Sequence, residues 1–385
     1  MKTWSLHIAC AIVLTALAGC SRDPIARSRT YVTRGDQYFQ SAKYKEAAIE
    51  YRNAAKVAPQ AATPHMKLGE VAMQSGDLET AIDEFLRAAS LEPQNGHAQV
   101  RAASVYLLTG RFSDARKRAE AALRLIPDDA DAHLVLGEAL AAQRDVVHSE
   151  ARLLEAVRLA PNSADAHAAL GSLYWATGRL NDAESELTRA RQLAPSQLAP
   201  SRTLASFYLE TNRPDDAEHA LARVIEIDPQ NVAAILQRSQ VLAQLGRGSD
   251  ALAAVDAADK LEPDSPRVML ARGYVLVRQK RVDDGIWWAL RARERHPNDF
   301  APPLRLALAQ ILETGGRRKA AELEYADILK KSPRNWVAAN NLAWMYAADG
   351  RLDEALRLAR VAYEEAPGSP QVKNTLDTIS KRKGS

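Results

Sequence analysis

The sequence predicts an all-α solenoid of about ten helix–turn–helix repeats followed by a C-terminal capping helix. The first observation is a fixed period, because ten prolines recur along the chain and all but one of their intervals are 34 residues. Those prolines are Pro59, Pro93, Pro127, Pro161, Pro195, Pro229, Pro263, Pro297, Pro333 and Pro367. A constant period in this range is typical of repeat proteins. The second observation is that small and large residues recur at helical spacing within each period, with no alternating strand pattern.

The repeats share a common frame when each proline is given position 32. They then begin at Ser28, Ala62, Gly96, Ala130, Ala164, Leu198, Val232, Pro266, Pro302 and Trp336. Eight repeats cover residues 28–299 and two more cover residues 300–369, which begin with the two-residue insert Phe300-Ala301. The insert is interpreted either as a subdomain boundary or change of pitch, or as a slightly longer turn without consequence.

Small residues mark two positions of every repeat. Positions 8 and 20 carry Gly, Ala or Ser throughout, which predicts two antiparallel helices that approach closely, with larger residues at positions 7, 11 and 24 filling the groove. Position 15 is Gly in six repeats and is predicted to end helix A in a left-handed conformation. Repeat 4 departs from this pattern, because it has Arg144 at position 15 and Ser149 at position 20.

The ends of the helices also have signals. Acidic or amide residues after the turn, such as Asp77 and Asp114, are predicted to cap helix B. The proline at position 32 ends helix B, and polar residues after it cap the next helix A. Residues 370–385 are predicted to form a capping helix with a basic tail, because Val372, Leu376 and Ile379 share one helical face.

This pattern resembles the tetratricopeptide repeat in its period and in its marked positions. Repeat 5 shows the marks most clearly, in Leu170-Gly171, Tyr174, Gly178, Ala183, Leu187, Ala190 and Pro195. The resemblance covers residues 28–369. It implies a right-handed superhelix in which helix A residues line a concave groove, and it implies a scaffold that binds proteins or peptides.

The N-terminus carries an export signal. Lys2 precedes an apolar run from Ile8 to Ala18, which is too short to span a bilayer but typical of a signal peptide. The run ends in Leu17-Ala18-Gly19-Cys20, which resembles the lipobox of bacterial lipoproteins. That resemblance implies a signal peptide over residues 1–19, a lipid on Cys20 and a short tether over 20–27. The alternative is an ordinary signal peptide or an N-terminal anchor.

The expected location of the mature protein is the periplasmic face of the outer membrane. Ser21 follows the lipobox cysteine, and in Gram-negative lipoproteins a serine there permits transfer to the outer membrane. The inner membrane and the cell surface are the alternatives. The mature chain would keep only Cys20, because Cys10 leaves with the signal, and such depletion suits an oxidising compartment.

The composition argues against several function classes. Lys and Arg number 51 against 48 Asp and Glu, so the net charge of +3 does not indicate a nucleic-acid binder. Repeats and the capping helix account for every stretch after residue 28, which leaves no catalytic domain, and no phosphate-binding loop is present. We therefore predict a protein that is not an enzyme and has no cofactor or metal. His133 and His167, both at position 4, are predicted to be interior residues.

Two sets of residues are candidate contacts for a partner. In tetratricopeptide repeats, certain positions of helix A face the concave groove. Across repeats 3 to 6 of this chain, those positions hold Leu107, Leu108, Leu134, Val135, Trp175 and Arg202. An apolar stretch rimmed by charges suits an amphipathic helix or an extended apolar peptide, although these residues could instead only pack within the superhelix. Trp287 and Trp288 are adjacent on helix B of repeat 8. Neighbours lie about 100° apart on a helix, so one is predicted to be exposed or packed on a neighbouring repeat.

Three functions fit these observations. The first is a membrane-anchored scaffold or adaptor for the protein partners of a cell-envelope assembly, such as polysaccharide export, pilus or secretion, or cell-wall machinery. The second is a chaperone or adaptor that binds one peptide motif. The third is a regulatory subunit of an envelope enzyme, such as a glycosyltransferase complex. Fold-level resemblance does not choose among these pathways.

Overall fold

The computed structural model describes residues 23–298 and 300–384, and every regular element in these ranges is an α-helix. Helix A of the successive repeats is α1 (Pro24–Gln40), α3 (Ala62–Gln74), α5 (Gly96–Leu108), α7 (Ala130–Ala142), α9 (Ala164–Ala176), α11 (Leu198–Glu210), α13 (Val232–Gln244), α15 (Pro266–Arg278), α17 (Pro302–Thr314) and α19 (Trp336–Ala348). Helix B is α2 (Tyr44–Val57), α4 (Leu78–Leu91), α6 (Phe112–Leu125), α8 (Val146–Leu159), α10 (Leu180–Leu193), α12 (Pro214–Ile227), α14 (Gly248–Leu261), α16 (Val282–Arg295), α18 (Arg318–Lys331) and α20 (Leu352–Glu365). The last helix, α21, is Pro370–Gly384.

These helices confirm the predicted all-α architecture of repeated helix pairs. In repeats 2 to 10, helix A occupies positions 1–13 and helix B occupies positions 17–30 of the frame. The chain divides into two compact units on either side of the Leu173–Tyr174 bond, which lies within α9. Within each unit, the helices pack against their neighbours in chain order, as in a solenoid.

The first helix begins earlier than the repeat frame predicts. The side chain of Asp23 accepts a hydrogen bond from the backbone N–H of Ile25 at 2.9 Å, and Pro24 occupies the first helical position. Both features favour a helix start at this point. Residues 24–27, which were expected to belong to the tether over 20–27, are therefore part of α1.

The turn between helices A and B has the same backbone conformation in all ten repeats. The residue at position 15 has a φ between 56° and 80°, whether or not it is glycine. Four repeats use another residue there, namely Ala42, Arg144, Asn212 and Lys280. In repeat 5 the N–H of Arg179 donates to the carbonyl of Tyr174 at 2.9 Å, which closes the end of helix A. Arg144 thus occupies the left-handed turn that glycine forms elsewhere.

Small residues at position 8 accommodate large residues at position 24. A Cβ atom built on Gly69 would lie 2.6 Å from the ring of Phe85, and Phe85 is fully buried. In repeat 8 the two backbones meet directly, because a Cβ on Gly273 would lie 2.7 Å from the carbonyl oxygen of Gly285. The predicted close approach of the two helices is therefore confirmed, and any larger side chain at these glycines would separate them.

Repeat 4 keeps this packing although it carries a serine at position 20. Ser149 is fully buried, and its hydroxyl donates to the carbonyl oxygen of Gly137 at 2.8 Å. A buried hydroxyl that has a hydrogen-bond partner does not carry the full cost of desolvation. Ser149 therefore joins α7 to α8 without widening their interface.

The predicted helix caps are partly wrong. Asp77 does cap α4, because its side chain accepts from the N–H of Thr80 at 3.2 Å, and Asp129 caps α7 in the same way. Asp114 does not cap α6, since it is the third residue of that helix and pairs with Arg111 at 3.2 Å. Position 19 lies inside helix B, so an acid there interacts with the helix dipole and with the arginine before the helix.

An arginine at position 16 links neighbouring repeats. Arg213 contacts Glu184 of the preceding repeat at 2.5 Å and Asp216 of its own repeat at 2.7 Å. Arg351 repeats this arrangement with Glu322, at 2.9 Å. The ion pair and hydrogen bond with Arg213 hold the pKa of Glu184 below its usual value. These pairs are solvent-exposed, so they add little to stability, but they join side chains of adjacent repeats.

The C-terminal helix closes the array as predicted. Val372 and Ile379 on α21 are fully buried, and they pack against apolar residues of repeat 10. At the insert, Phe300 is buried in a cluster that also contains Met269 of repeat 8 and Leu308 of repeat 9. The hydrophobic core is therefore continuous across the insert.

The strained turn of repeat 4 leads to a stability prediction. Arg144 has a φ of 63°, its side chain is exposed, and a left-handed conformation costs a residue with a Cβ about 1 kcal/mol. We expect Arg144→Gly to raise the free energy of unfolding by about 0.5–1 kcal/mol, measured by urea or thermal denaturation. The control Arg144→Ala keeps the strain and should match the wild type. Equal stability of the Gly and Ala variants would contradict this explanation.

Candidate protein-binding surface

The predicted groove residues of the first unit differ in their exposure. Leu108, the last residue of α5, is 64% exposed, whereas Leu107 and Leu134 are half-buried. Val135 is only 5% exposed and belongs to a buried cluster with Leu136. Val135 is therefore a correction to the predicted surface, because its side chain packs between α7 and the neighbouring helices rather than facing solvent. The accessible apolar surface on this stretch comes from Leu107, Leu108 and Leu134.

In the second unit, Trp175 is partly committed to internal packing. Its ring meets Phe207 edge to face, with centroids 5.7 Å apart and planes at 85°. Phe207 is buried in α11, while Trp175 stays half-exposed. Arg202, also on α11, is exposed. Trp175 thus combines a structural contact with a free face, and Arg202 adds a positive charge to the same unit.

In the first unit, side chains at positions 6 and 9 of helix A contact each other within a repeat and between adjacent repeats. Position 9 holds Asp36 in repeat 1 and Glu70 in repeat 2, and position 6 holds Lys67 in repeat 2. The Nζ atom of Lys67 lies 3.5 Å from Asp36 and 3.1 Å from Glu70. A side chain at position 6 therefore lies between the position 9 side chains of its own repeat and the preceding one.

Glu138 occupies position 9 of repeat 4 and has a different environment. It is half-buried on α7, and no described side chain forms a hydrogen bond or ion pair with it. Burial, together with the nearby negative charge of Asp165 on α9, raises the pKa of Glu138 to about 7. Glu138 was not among the predicted contact residues, although the sequence changes at position 6 from Lys67 and Arg101 to Val135 and Ala169.

The predicted interior histidines are confirmed, and the structure gives their role. His133 and His167 are both buried at position 4 of helix A. The Nε2–H group of His133 donates to the carbonyl oxygen of Pro127 at 2.9 Å, and His167 contacts Pro161 in the same way at 3.1 Å. These histidines therefore fasten helix A to the turn between repeats. Within residues 23–298 and 300–384, no group of three or more His, Cys, Asp or Glu side chains is arranged to hold a metal ion.

The tryptophan pair on α16 separates into an inner and an outer residue. Trp288 packs against the core of repeats 8 and 9, and the guanidinium of Arg272 lies 5.2 Å from its ring. Trp287 is 51% exposed, with Arg291 4.8 Å from its ring. The role of Trp287 as a partner contact on the outer surface stays a prediction, while Trp288 is part of the hydrophobic packing.

The predicted lipid anchor lies at the N-terminal end of the chain. Cys20 and the predicted signal peptide over residues 1–19 fall outside the described residues. Among the helices of the described part of the chain, none is both long enough and apolar enough to cross a bilayer.

The environment of Glu138 predicts that replacing this residue with a neutral one stabilises the folded chain at high pH but not at low pH. A carboxyl whose pKa is about 7 in the folded chain and 4.5 when unperturbed binds its proton more tightly when folded. The folded state therefore loses stability as the pH rises from 4.5 through 7. We expect Glu138→Gln to raise the free energy of unfolding by about 1–3 kcal/mol at pH 8 and to have little effect at pH 4.5.

Thermal denaturation at the two pH values measures this difference. Glu70→Gln is the matched control, because Glu70 has a cationic partner in Lys67 and its loss should not stabilise the chain at pH 8. A Glu138→Gln variant that is no more stable than the wild type at pH 8 would contradict the assigned environment.

Comparisons with known proteins agree with the helical architecture. One profile described as tetratricopeptide repeat matches residues 72–136, 110–173, 174–238 and 208–273, which together exceed half of the chain. A second profile with the same description matches residues 32–96 and 306–370. None of the curated proteins matches the chain significantly.

Among solved structures, one shares the fold and two others are less similar overall. A tetratricopeptide repeat protein from Parabacteroides merdae is 16% identical, covers 65% of this chain and 98% of its own, and superposes with a TM-score of 0.52. Yeast Tom70 is 14% identical over 92% of this chain and 96% of its own, with a TM-score of 0.44. PilF of Pseudomonas aeruginosa is 16% identical over 54% of this chain and 94% of its own, with a TM-score of 0.45.

Tetratricopeptide repeats are protein-interaction modules and are typically non-enzymatic. This general property implies that the chain is a protein-interaction scaffold. Because the profiles match along most of its length, the chain belongs to the tetratricopeptide repeat family.

Proposed function

We propose that this protein is a lipid-anchored scaffold that binds protein partners of a cell-envelope assembly. The observation that carries the proposal is the exposed apolar surface on helix A in a family of protein-interaction modules. Leu108 is 64% exposed, and Leu107 and Leu134 are half-buried on the same stretch of repeats. An exposed leucine beside other apolar side chains is typical of a surface that a partner covers.

The proposed anchor rests on the sequence before the first helix. Leu17-Ala18-Gly19-Cys20 resembles a lipobox, and Ser21 favours the outer membrane. Asp23 caps α1, which begins at Pro24, so very few residues separate Cys20 from the folded repeats. A lipid on Cys20 would hold the first repeat close to the membrane at the periplasmic face, because an extended residue spans only about 3.5 Å.

A scaffold role is consistent with a chain whose described residues are almost all in helical repeats. The described residues form repeats and a capping helix, and the surface varies in chemistry from one repeat to the next. Such a protein can hold one or more components of an envelope machine close to the membrane. Polysaccharide export, pilus or secretion assembly and cell-wall synthesis are the candidate settings.

The helix A surface is tested by cross-linking in living cells. A photoreactive residue at position 108 should capture a discrete envelope protein. With that partner identified, Leu108→Glu should weaken its binding by about 1–3 kcal/mol, because a charge would replace a buried apolar contact. Leu323→Glu, on α18, is the matched control, since Leu323 is also exposed but lies on a helix B. Equal binding by both variants and the wild type would place the partner elsewhere.

The anchor is tested separately by substitution of Cys20. We expect Cys20→Ala to leave the helical content unchanged and to move the protein from the membrane fraction to the soluble fraction. The reason is that a hydrophobic acyl anchor would be absent. Incorporation of labelled palmitate into the wild type is the direct control. A wild-type protein that takes up no fatty acid would contradict the lipoprotein assignment.

A further inference from the structure

We infer that the helix A surface of repeats 4 and 5 binds a positively charged side chain of the partner, a lysine or arginine flanked by apolar residues, through the carboxylate of Glu138. This inference rests on the proposed protein-binding function, and it assigns the chemistry that the partner must supply. It concerns only the first compact unit, within which α7 and the part of α9 that carries Asp165 lie.

The first argument comes from the repeat geometry. Lys67 at position 6 reaches the position 9 acids of its own repeat and of the preceding repeat, at 3.1 Å and 3.5 Å. By the same geometry, the position 6 residues nearest Glu138 are Val135 of its own repeat and Ala169 of the following one. A buried valine and an alanine carry no charge. Glu70 therefore has a lysine beside it, whereas the matching positions beside Glu138 hold no cationic side chain.

The second argument is electrostatic. Glu138 is half-buried and has no ion-pair partner among the described residues, and the charge that acts on it is the carboxylate of Asp165. Partial desolvation without a counterion makes the ionised form of Glu138 unfavourable in the free protein, which is why its pKa is about 7. A cation from a ligand would remove this penalty. An anionic ligand would make the ionised form of Glu138 less favourable still.

The third argument concerns what surrounds the carboxylate. Leu134 lies one turn before Glu138 on α7, and Ala141 and Ala142 lie one turn after it. On the neighbouring repeat, Leu107 packs against a buried cluster that contains Ala139, the residue after Glu138, and Leu108 is exposed. A carboxylate beside apolar side chains complements a basic side chain between apolar ones, because the charge fixes the register and the apolar groups add area.

The test uses the full-length protein in detergent and a random library of twelve-residue peptides. Peptides selected by the wild type should share one lysine or arginine next to apolar residues. For one such peptide, replacing that basic residue with norleucine should raise the Kd at pH 8 about tenfold or more. The same replacement should change the Kd for Glu138→Gln less than about threefold. Glu70→Gln, the matched control, should keep the full wild-type preference.

Each outcome of the selection decides one question. Selected peptides without a basic residue, or an undiminished norleucine effect in Glu138→Gln, would overturn the inference while leaving a peptide-binding surface in place. A selection that enriches no peptide at all would count against the proposed protein-binding surface itself, and the inference would fall with it.

Discussion

The distance between the two helices of a repeat is the constraint on which the rest of this protein depends. The ring of Phe85 lies where a side chain on Gly69 would be, and in repeat 8 the backbones at Gly273 and Gly285 nearly touch. A solenoid has no central core, so each repeat must bury its apolar residues against its own partner helix and the adjacent repeat. Close packing at these points therefore determines which face of each helix is left for solvent and for partners.

The turns and the links between repeats follow from that spacing. A left-handed residue at position 15 reverses the chain over three residues in every repeat, even where Arg144 or Lys280 must adopt it. The position 16 arginine that follows contacts an acid of the preceding repeat, as Arg213 does with Glu184. The buried histidines add a second link, because His133 binds the carbonyl of the proline that ends the previous helix B. Local backbone and side-chain chemistry thus sets the register of neighbouring repeats.

On this regular frame, surface chemistry changes from repeat to repeat. Lys67 neutralises two acids in repeats 1 and 2, whereas Glu138 in repeat 4 has an alanine and a buried valine at the matching positions. A half-buried carboxyl without a counterion lowers the stability of the folded chain when it ionises. Its presence among exposed and half-exposed leucines is explained by recognition of a cationic group. The repeats have nearly the same backbone, so a change of one side chain, such as lysine to alanine at position 6, changes which ligand a repeat can bind.

The sequence alone determined the repeat number, the alternation of helix and turn and the glycine turns, because these depend on local spacing that recurs ten times, and it also predicted the capping helix. It also indicated that His133 and His167 are interior residues. Only the tertiary structure decided which groove candidates are accessible: Val135 is buried while Leu108 is exposed, although both lie on a helix A of neighbouring repeats. Burial of such residues depends on how the next repeat packs across them, and that contact has no signal in the local sequence. The environment of Glu138 was only partly visible in the sequence, because position 6 has no basic residue in repeats 4 and 5, whereas the burial of the carboxyl depends on how those repeats pack.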